Sequence, residues 1–218
     1  MKRGLLMLDL DGTIADTIGS IRDAVNLALK KNGYADRSYD QVRMAIGSGA
    51  RMLIDRSIRI EDSAVDTETI TRVYADYESF YDVTYDHVDG CYEGMSEAMH
   101  ALHDRGYTLA VLSNKQDSYV KKIVELLFPD GIVAHAQGQT ELPVKPDPAA
   151  PLAIAARLGF DPSETVFIGD SDVDIYTGQN AGMKTVGCAW GYRGRTVLEA
   201  SGADYVIDRA SELLTLFT

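Results

Sequence analysis

The sequence predicts an α/β fold: a parallel-sheet core interrupted, just after its first strand, by an all-helical module. Short apolar runs rich in Val, Ile, Leu and Met recur along the chain and alternate with segments of helical period. Residues 16–84 break that alternation and read as helix only. Polar and acidic residues stand at the carboxyl ends of the apolar runs, where open parallel sheets bind their ligands.

In chain order, residues 3–10 read as the first strand, a near-continuous apolar run of the kind buried on both faces of a parallel sheet. Helical patterns follow near 16–32, 39–46, 49–59 and 67–84. Ser38 with Gln41 has capping-box spacing, and Gly33 and Gly47 suit helix stops. Tyr74, Tyr77, Tyr81 and Tyr85 recur at helical spacing and read as the core stripe of a small bundle. The alternation resumes with a helix at 94–105, a strand at 107–112, a helix at 116–127 and a weaker strand at 132–136. Then come a helix at 148–158, a strand at 165–169, a helix at 173–181, a strand at 184–188, a helix at 194–200 and a strand at 204–207. Asp161-Pro162-Ser163-Glu164 reads as a turn or helix start with Pro162 near the first helical position. Such alternation builds a Rossmann-like sheet with crossover helices. The expected division is residues 1–15 and 86–218 for the core and 16–85 for the helical cap domain, with hinge strands near 14–17 and 83–90.

The 218 residues suffice for one generous domain or two unequal ones, and 45% hydrophobic with 25% charged residues is ordinary for a soluble globular protein. No apolar run approaches the ~20 residues that span a bilayer, and no secretory peptide is recognisable. Cys91 and Cys188 lie far apart without a CxxC pattern, which argues against a disulfide framework. A cytoplasmic enzyme without a membrane partner is the plain expectation. The formal charge of −12 argues against a nucleic-acid-binding surface, which needs a basic patch. Any anion must therefore meet a locally positive site built from a metal, a lysine and backbone N–H groups. The acidic surface favours solubility and leaves monomer and homodimer both open.

Four strand ends carry the polar residues. Asp9 and Asp11 follow the first strand, and Ser113 and Asn114 follow 109–112. Lys145 precedes Pro146-Asp147-Pro148, and Gly169-Asp170-Ser171-Asp172-Val173-Asp174 follows 165–169. Singly, each has a plain reading as a helix cap or a solvated charge. Together and in this order, Asp9-Leu10-Asp11-Gly12-Thr13, Ser113-Asn114, Lys145 and Gly169-Asp170 with Asp174 resemble the four motifs of the haloacid dehalogenase superfamily. IGSGARMLI (46–54), LSNK (112–115), KPDP (145–148), GDSDVDI (169–175) and AGMKTVGCAWGYR (181–193) further resemble its bacterial phosphoglycolate phosphatase branch.

Residue chemistry gives the same outline. A carboxylate can attack a phosphoryl group and form an aspartyl-phosphate, splitting one hard step into two. Asp9, at the strand end, suits the nucleophile; Asp11, two residues on, would face the same side if the strand continued and suits the general acid/base, while Gly12 permits a tight turn. Carboxylates facing a phosphate need a cation, and Asp170 completes an oxygen-rich site suited to Mg²⁺. The resemblance implies that Mg²⁺ is bound by the Asp9 side chain, the Asp11 main-chain carbonyl and the Asp170 side chain. Asp174 would then orient a metal-bound water or Lys145. Lys145 and Ser113 would hold the phosphate and offset charge on its oxygens, with Gly12, Thr13 and Asn114 in the same phosphate-binding set. The cap would close over the site, and N–H groups of the Gly49–Arg51 turn could meet a substrate carboxylate or second phosphate.

Asp11 also discriminates. Dehalogenases proper lack the second aspartate and cation-pumping ATPases carry threonine there, so Asp11 favours phosphate-ester or phosphoanhydride cleavage. The expected substrate is a small phosphorylated metabolite, phosphoglycolate first, with a pyrophosphatase or nucleotidase next. A phosphomutase related to β-phosphoglucomutase keeps both aspartates, but its first motif more often ends in valine where this chain has Thr13. A non-catalytic phosphate-binding module, receiver-like in its strand-end acids and lysine, needs neither the cap insert nor Asp11 where it stands. His100 and His103 share a helix face without further metal ligands nearby, Trp190 and Arg193 read as a structural loop, and Cys188 as core.

Overall fold

Leu5–Leu8, four consecutive apolar residues, form a central strand β1 buried on both faces. The structure is a computed structural model that describes residues 3–88 and 90–218. β1 is flanked by β2 (Thr108–Gln116) and β4 (Thr165–Gly169), with β3 (Val133–Gln139), β5 (Lys184–Cys188) and β6 (Tyr205–Ile207) outward, in the order β3-β2-β1-β4-β5-β6. Every pairing is parallel: Leu5 to Leu8 stand opposite Thr108 to Val111 on one side and Thr165 to Ile168 on the other. Chain order reverses direction at β1, so the crevice beyond the ends of β1 and β4 is the topological switch point where such sheets bind ligands.

Crossover helices cover the sheet: α5 (Met95–Asp104), α6 (Asp117–Leu127), α7 (Ala149–Leu158), α8 (Asp172–Asn180) and α9 (Gly194–Ala200). Leu5, Met7, Ala110, Leu112 and Phe167 of the sheet pack with Ile154 and Ala155 of α7 in one buried cluster. Each such large side chain contributes about 1.5–3 kcal/mol by leaving water. Pro162–Glu164 is a single 3₁₀ turn with Pro162 at its start, and Glu164 accepts the Asp161 N–H, as the sequence predicts. The sequence gives no sign of the short helix α10 (Leu213–Leu216), whose Leu213 is fully buried. Among the described residues no helix is long and apolar enough to cross a membrane.

The chain divides into two compact units, Met1–Asp16 with Gly90–Thr218, and Thr17–Asp89. The second holds α1 (Ile18–Lys31), α2 (Tyr39–Ala45), α3 (Ala50–Arg59) and α4 (Thr67–Tyr81). Ser38 and Gln41 form the expected capping box: the Gln41 N–H donates to Ser38 Oγ, and the Ser38 N–H donates to Gln41 Oε1 at 2.8 Å. Tyr77 and Tyr81 stack face to face inside this unit with ring centroids 5.5 Å apart. The stripe stops there. α4 ends at Tyr81, three residues before the expected end, and Tyr85 lies in the following turns, its N–H bonded to the Tyr81 carbonyl.

The hinge expectation needs correction. Residues 83–86 turn back on the end of α4, and the chain pairs instead as a short antiparallel bridge between Ala15 and Cys91. Flanking bonds run from Asp16 N–H to Gly90 O and from Tyr92 N–H to Ile14 O. Asp89, within the expected second hinge strand, lies outside the described residues.

Candidate active site

The Asp9 N–H donates to Ile168 O at 2.9 Å, so the β1–β4 ladder continues one residue past the strand and fixes the carboxylate at the switch point. The fully buried Leu10 then anchors a tight turn, its carbonyl accepting the N–H groups of Thr13, Ile14 and Ala15. Gly12 makes the turn possible in two ways. Its φ of +89° is strained for any residue with a side chain, and a Cβ there would lie 2.6 Å from an Asp170 carboxylate oxygen.

Asp170 follows β4 and is almost wholly buried. Thr13 Oγ1 donates to one of its oxygens at 3.0 Å, and the Tyr192 N–H donates to the other at 2.6 Å. Trp190 supports this arrangement from the loop after β5, donating its indole N–H to the Thr13 carbonyl at 3.1 Å. Ser171 caps α8, and its N–H and hydroxyl both donate to Asp174 Oδ2. The other Asp174 oxygen accepts from Lys145 Nζ at 2.7 Å, and Lys145 also donates to Asp9 at 2.8 Å.

The electrostatics follow from burial. Three carboxylates, Asp9, Asp170 and Asp174, come within 4.8 Å of one another around the lone ammonium of Lys145. Burial, helped by Asp174 and Asp11, outweighs Lys145 and pushes Asp9 up to about 7. Burial and the charges of Asp174 and Asp9 push Asp170 well above the usual carboxylate range, against the pull of Tyr192 and Thr13. Burial alone would lower Lys145, but Asp174 and Asp9 overcome it and hold the ammonium more firmly protonated than in water. One ammonium is thus too little positive charge for three buried carboxylates. A hard, oxygen-seeking divalent cation such as Mg²⁺ matches both the deficit and the donor type.

Asp11 is held apart from this cluster. Its two oxygens accept from Lys115 Nζ at 2.8 and 3.0 Å. Lys115 is a residue to which sequence reasoning assigned no role. Ser113 is buried beside it, and its Oγ accepts the Lys115 N–H.

Two expected phosphate contacts have other partners. The Asn114 amide clamps the Lys145 main chain reciprocally: Nδ2 donates to Lys145 O at 3.0 Å, and Oδ1 accepts the Lys145 N–H at 2.8 Å. The Thr13 hydroxyl serves Asp170. Both side chains are short and buried, and they satisfy the nearest polar partner. Gly49 and Arg51 belong to the helical unit, where Gly49 precedes α3 with a φ of +86° and Arg51 donates to Thr71 Oγ1. His100 bridges the Ser96 carbonyl and Asp130, Cys188 is core, Arg193 lies 3.9 Å from Asp172, and both cysteines are free.

The family profile described as haloacid dehalogenase-like hydrolase matches residues 6–188. A phosphoglycolate phosphatase of Psychrobacter arcticus is 34% identical over 201 residues, covering 88% of this chain and 86% of that protein. Another from Haemophilus influenzae is 30% identical, covering 97% of each. A crystal structure from Lactobacillus delbrueckii subsp. bulgaricus superposes with a TM-score of 0.93 at 28% identity, covering 100% of this chain and 99% of that one.

Proposed function

The chain belongs to the haloacid dehalogenase-like hydrolase family, and on that premise we propose that it is a Mg²⁺-dependent phosphatase of a small phosphorylated metabolite, acting through an aspartyl-phosphate. The observation that carries this reading is the division of labour among buried carboxylates: Asp9 in the Lys145 cluster at the switch point, and Asp11 beside it with a separate partner. Phosphoglycolate is the leading substrate, because the relatives named above carry that activity in their names and align over nearly their whole length.

In the first step an Asp9 oxygen attacks phosphorus, the P–O bond to the leaving group breaks, and Asp11 gives its proton to the leaving oxygen. In the second step water attacks the aspartyl-phosphate, Asp11 takes the proton back, and inorganic phosphate departs with the Asp9 carboxylate restored. Proton transfer of this kind is worth ~10²–10⁴-fold in rate. Lys145, fixed by Asn114 and Asp174, presents its ammonium to the phosphoryl oxygens, and the Ser113 hydroxyl can donate to another. When bound by Asp9, Asp170 and the Asp11 carbonyl, with Asp174 adjacent, Mg²⁺ would neutralise the carboxylates facing the phosphate. The formal charge of −12 makes a bound phosphate dependent on such a local assembly.

The test is phosphate release from a panel of phosphate esters, phosphoglycolate included, with Mg²⁺ present. Wild type should release phosphate and Asp9→Asn should not. Absence of release across the panel overturns the reading, and sugar-phosphate isomerisation dependent on a bisphosphate would replace it with a phosphomutase.

A further inference from the structure

We propose that Lys115 is the positioning residue of Asp11: it holds the proton-transferring carboxylate in its working orientation and keeps it out of the Asp9 cluster. The inference deepens the phosphatase reading and rests on it. Four buried or nearly buried carboxylates stand around the end of β1, and two lysines take three of them, Asp170 being held by Thr13 and the Tyr192 N–H. Lys145 takes Asp9 and Asp174, and Lys115 takes both oxygens of Asp11, with side chains only 7% and 11% exposed for Lys115 and Asp11. A carboxylate beside a phosphoryl group can act as nucleophile, metal ligand or proton carrier. Engaging both Asp11 oxygens on a separate ammonium disfavours the first two roles and fixes the orientation of the carboxylate at rest, and one of the two Lys115 bonds gives way when Asp11 carries its proton. Displacements of about 1 Å at such a group can lower a rate by 10²-fold.

The backbone is built for this placement. Between Leu112 and Gln116 the β2–β3 register slips: four residue steps on β2 stand against two, Gln137 to Gln139, on β3. A regular strand sends successive side chains to opposite faces. Bulged backbone re-aims them, which lets Asn114 reach Lys145 while Lys115 reaches Asp11. Gly138 makes room for the bulge, since a Cβ there would sit 2.3 Å from the Lys115 carbonyl oxygen and 2.6 Å from Asp117 Cα. The Gly138 N–H donates to Asp117 Oδ1 and ties the bulged segment down.

The test separates a positioning role from substrate binding and from mere structure by varying the leaving group. Dinitrophenyl phosphate needs no proton at its leaving oxygen, whereas an alkyl phosphate such as phosphoglycolate or glycerol phosphate does. With Mg²⁺ present, Lys115→Met should keep the rapid-quench burst of dinitrophenolate within about threefold of wild type while lowering alkyl-phosphate kcat roughly 10–10²-fold. Asp11→Asn should show the same signature, the double variant should be no worse than Asp11→Asn, and Lys115→Arg should recover part of the alkyl-phosphate rate. Gly138→Ala, which displaces the Lys115 backbone and keeps its side chain, should fall between. An equal loss on both substrates, a raised KM with unchanged kcat, or wild-type behaviour of Lys115→Met overturns the assignment. Wild type that forms no burst and releases no phosphate instead overturns the underlying phosphatase reading.

Discussion

Raising the pH from 5 to 8 should destabilise the metal-free protein, and Asp9 and Asp170 are the causes. Its carboxyl titrates near 3.8 in the unfolded chain and at about 7 in the folded one, because burial and the neighbouring Asp174 and Asp11 outweigh Lys145. Across that window the folded protein holds a proton that the unfolded chain has released, so stability falls as pH rises. Only about two of the three pH units of that gap lie inside the window, between pH 5 and 7, which corresponds to about 2.7 kcal/mol from Asp9. Asp170, pushed up mainly by burial, acts in the same direction. Lys145 is raised above 10.5 by Asp174 and Asp9 against burial, so its contribution is intact below that value and constant from pH 5 to 8. Exposed carboxylates held low, such as Asp66 at the start of α4, contribute stability that is lost only as pH falls below the ordinary carboxylate range. His100, raised by the Ser96 carbonyl and Asp130, adds a small exposed contribution of the same sign as Asp9. Asp9→Asn separates the two. Thermal unfolding in EDTA at pH 5, 6, 7 and 8 should show Tm of the sheet-containing unit falling by roughly 5–11 °C through Asp9, taking about 2–4 °C per kcal/mol. Millimolar Mg²⁺ should restore most of the loss above pH 7 by binding the ionised carboxylates, and Asp9→Asn should flatten the EDTA profile. A wild-type EDTA profile that is level or rises with pH, or an Asp9→Asn profile with undiminished slope, would refute the reasoning.

Two substitutions probe the residues that hold the others. Thr13→Val removes the hydroxyl that donates to Asp170. The Mg²⁺ concentration for half-maximal activity should rise by about tenfold or more, as measured by metal titration at saturating substrate. Asn114→Ala removes both bonds to the Lys145 main chain and should cost about 1–3 kcal/mol in urea unfolding. It should also lower kcat. Combined with Lys145→Met, its kcat effect should largely vanish, because the two residues act as one unit.

Strand-end chemistry made much of the site legible. Asp9 and Asp170 stand together because each directly follows an apolar strand that the parallel sheet brings to the same rim, and Asp174 joins them from the first turn of α8 and Lys145 from the segment after β3. Lys115 was illegible for a local reason: its inward aim depends on a bulge, and the bulge depends on a glycine on the neighbouring strand. Thr13 and Asn114 were visible as residues, but their bonds to Asp170 and to the Lys145 main chain were not, since a hydroxyl or amide beside a phosphate motif can serve the ligand or the residue next to it. The Tyr192 contribution is a main-chain N–H that any residue but proline would supply, so no side-chain pattern marks it. β2 runs four residues beyond its apolar stretch because Ser113 to Gln116 extend the backbone without continuing the hydrophobic run.

The central position of β1 also shapes how the protein is made. Leu5 to Leu8 leave the ribosome about 100 residues ahead of β2 and about 160 ahead of β4, the two strands that cover their edges. At ~5–20 residues per second, the second edge stays open for roughly 8–30 s of synthesis. During that interval the apolar strand that leads into Asp9 has at least one unpaired backbone edge, an invitation to association with other nascent chains. Deletion or premature termination before residue 165 would leave that exposure permanent, so truncated products should be aggregation-prone rather than merely inactive.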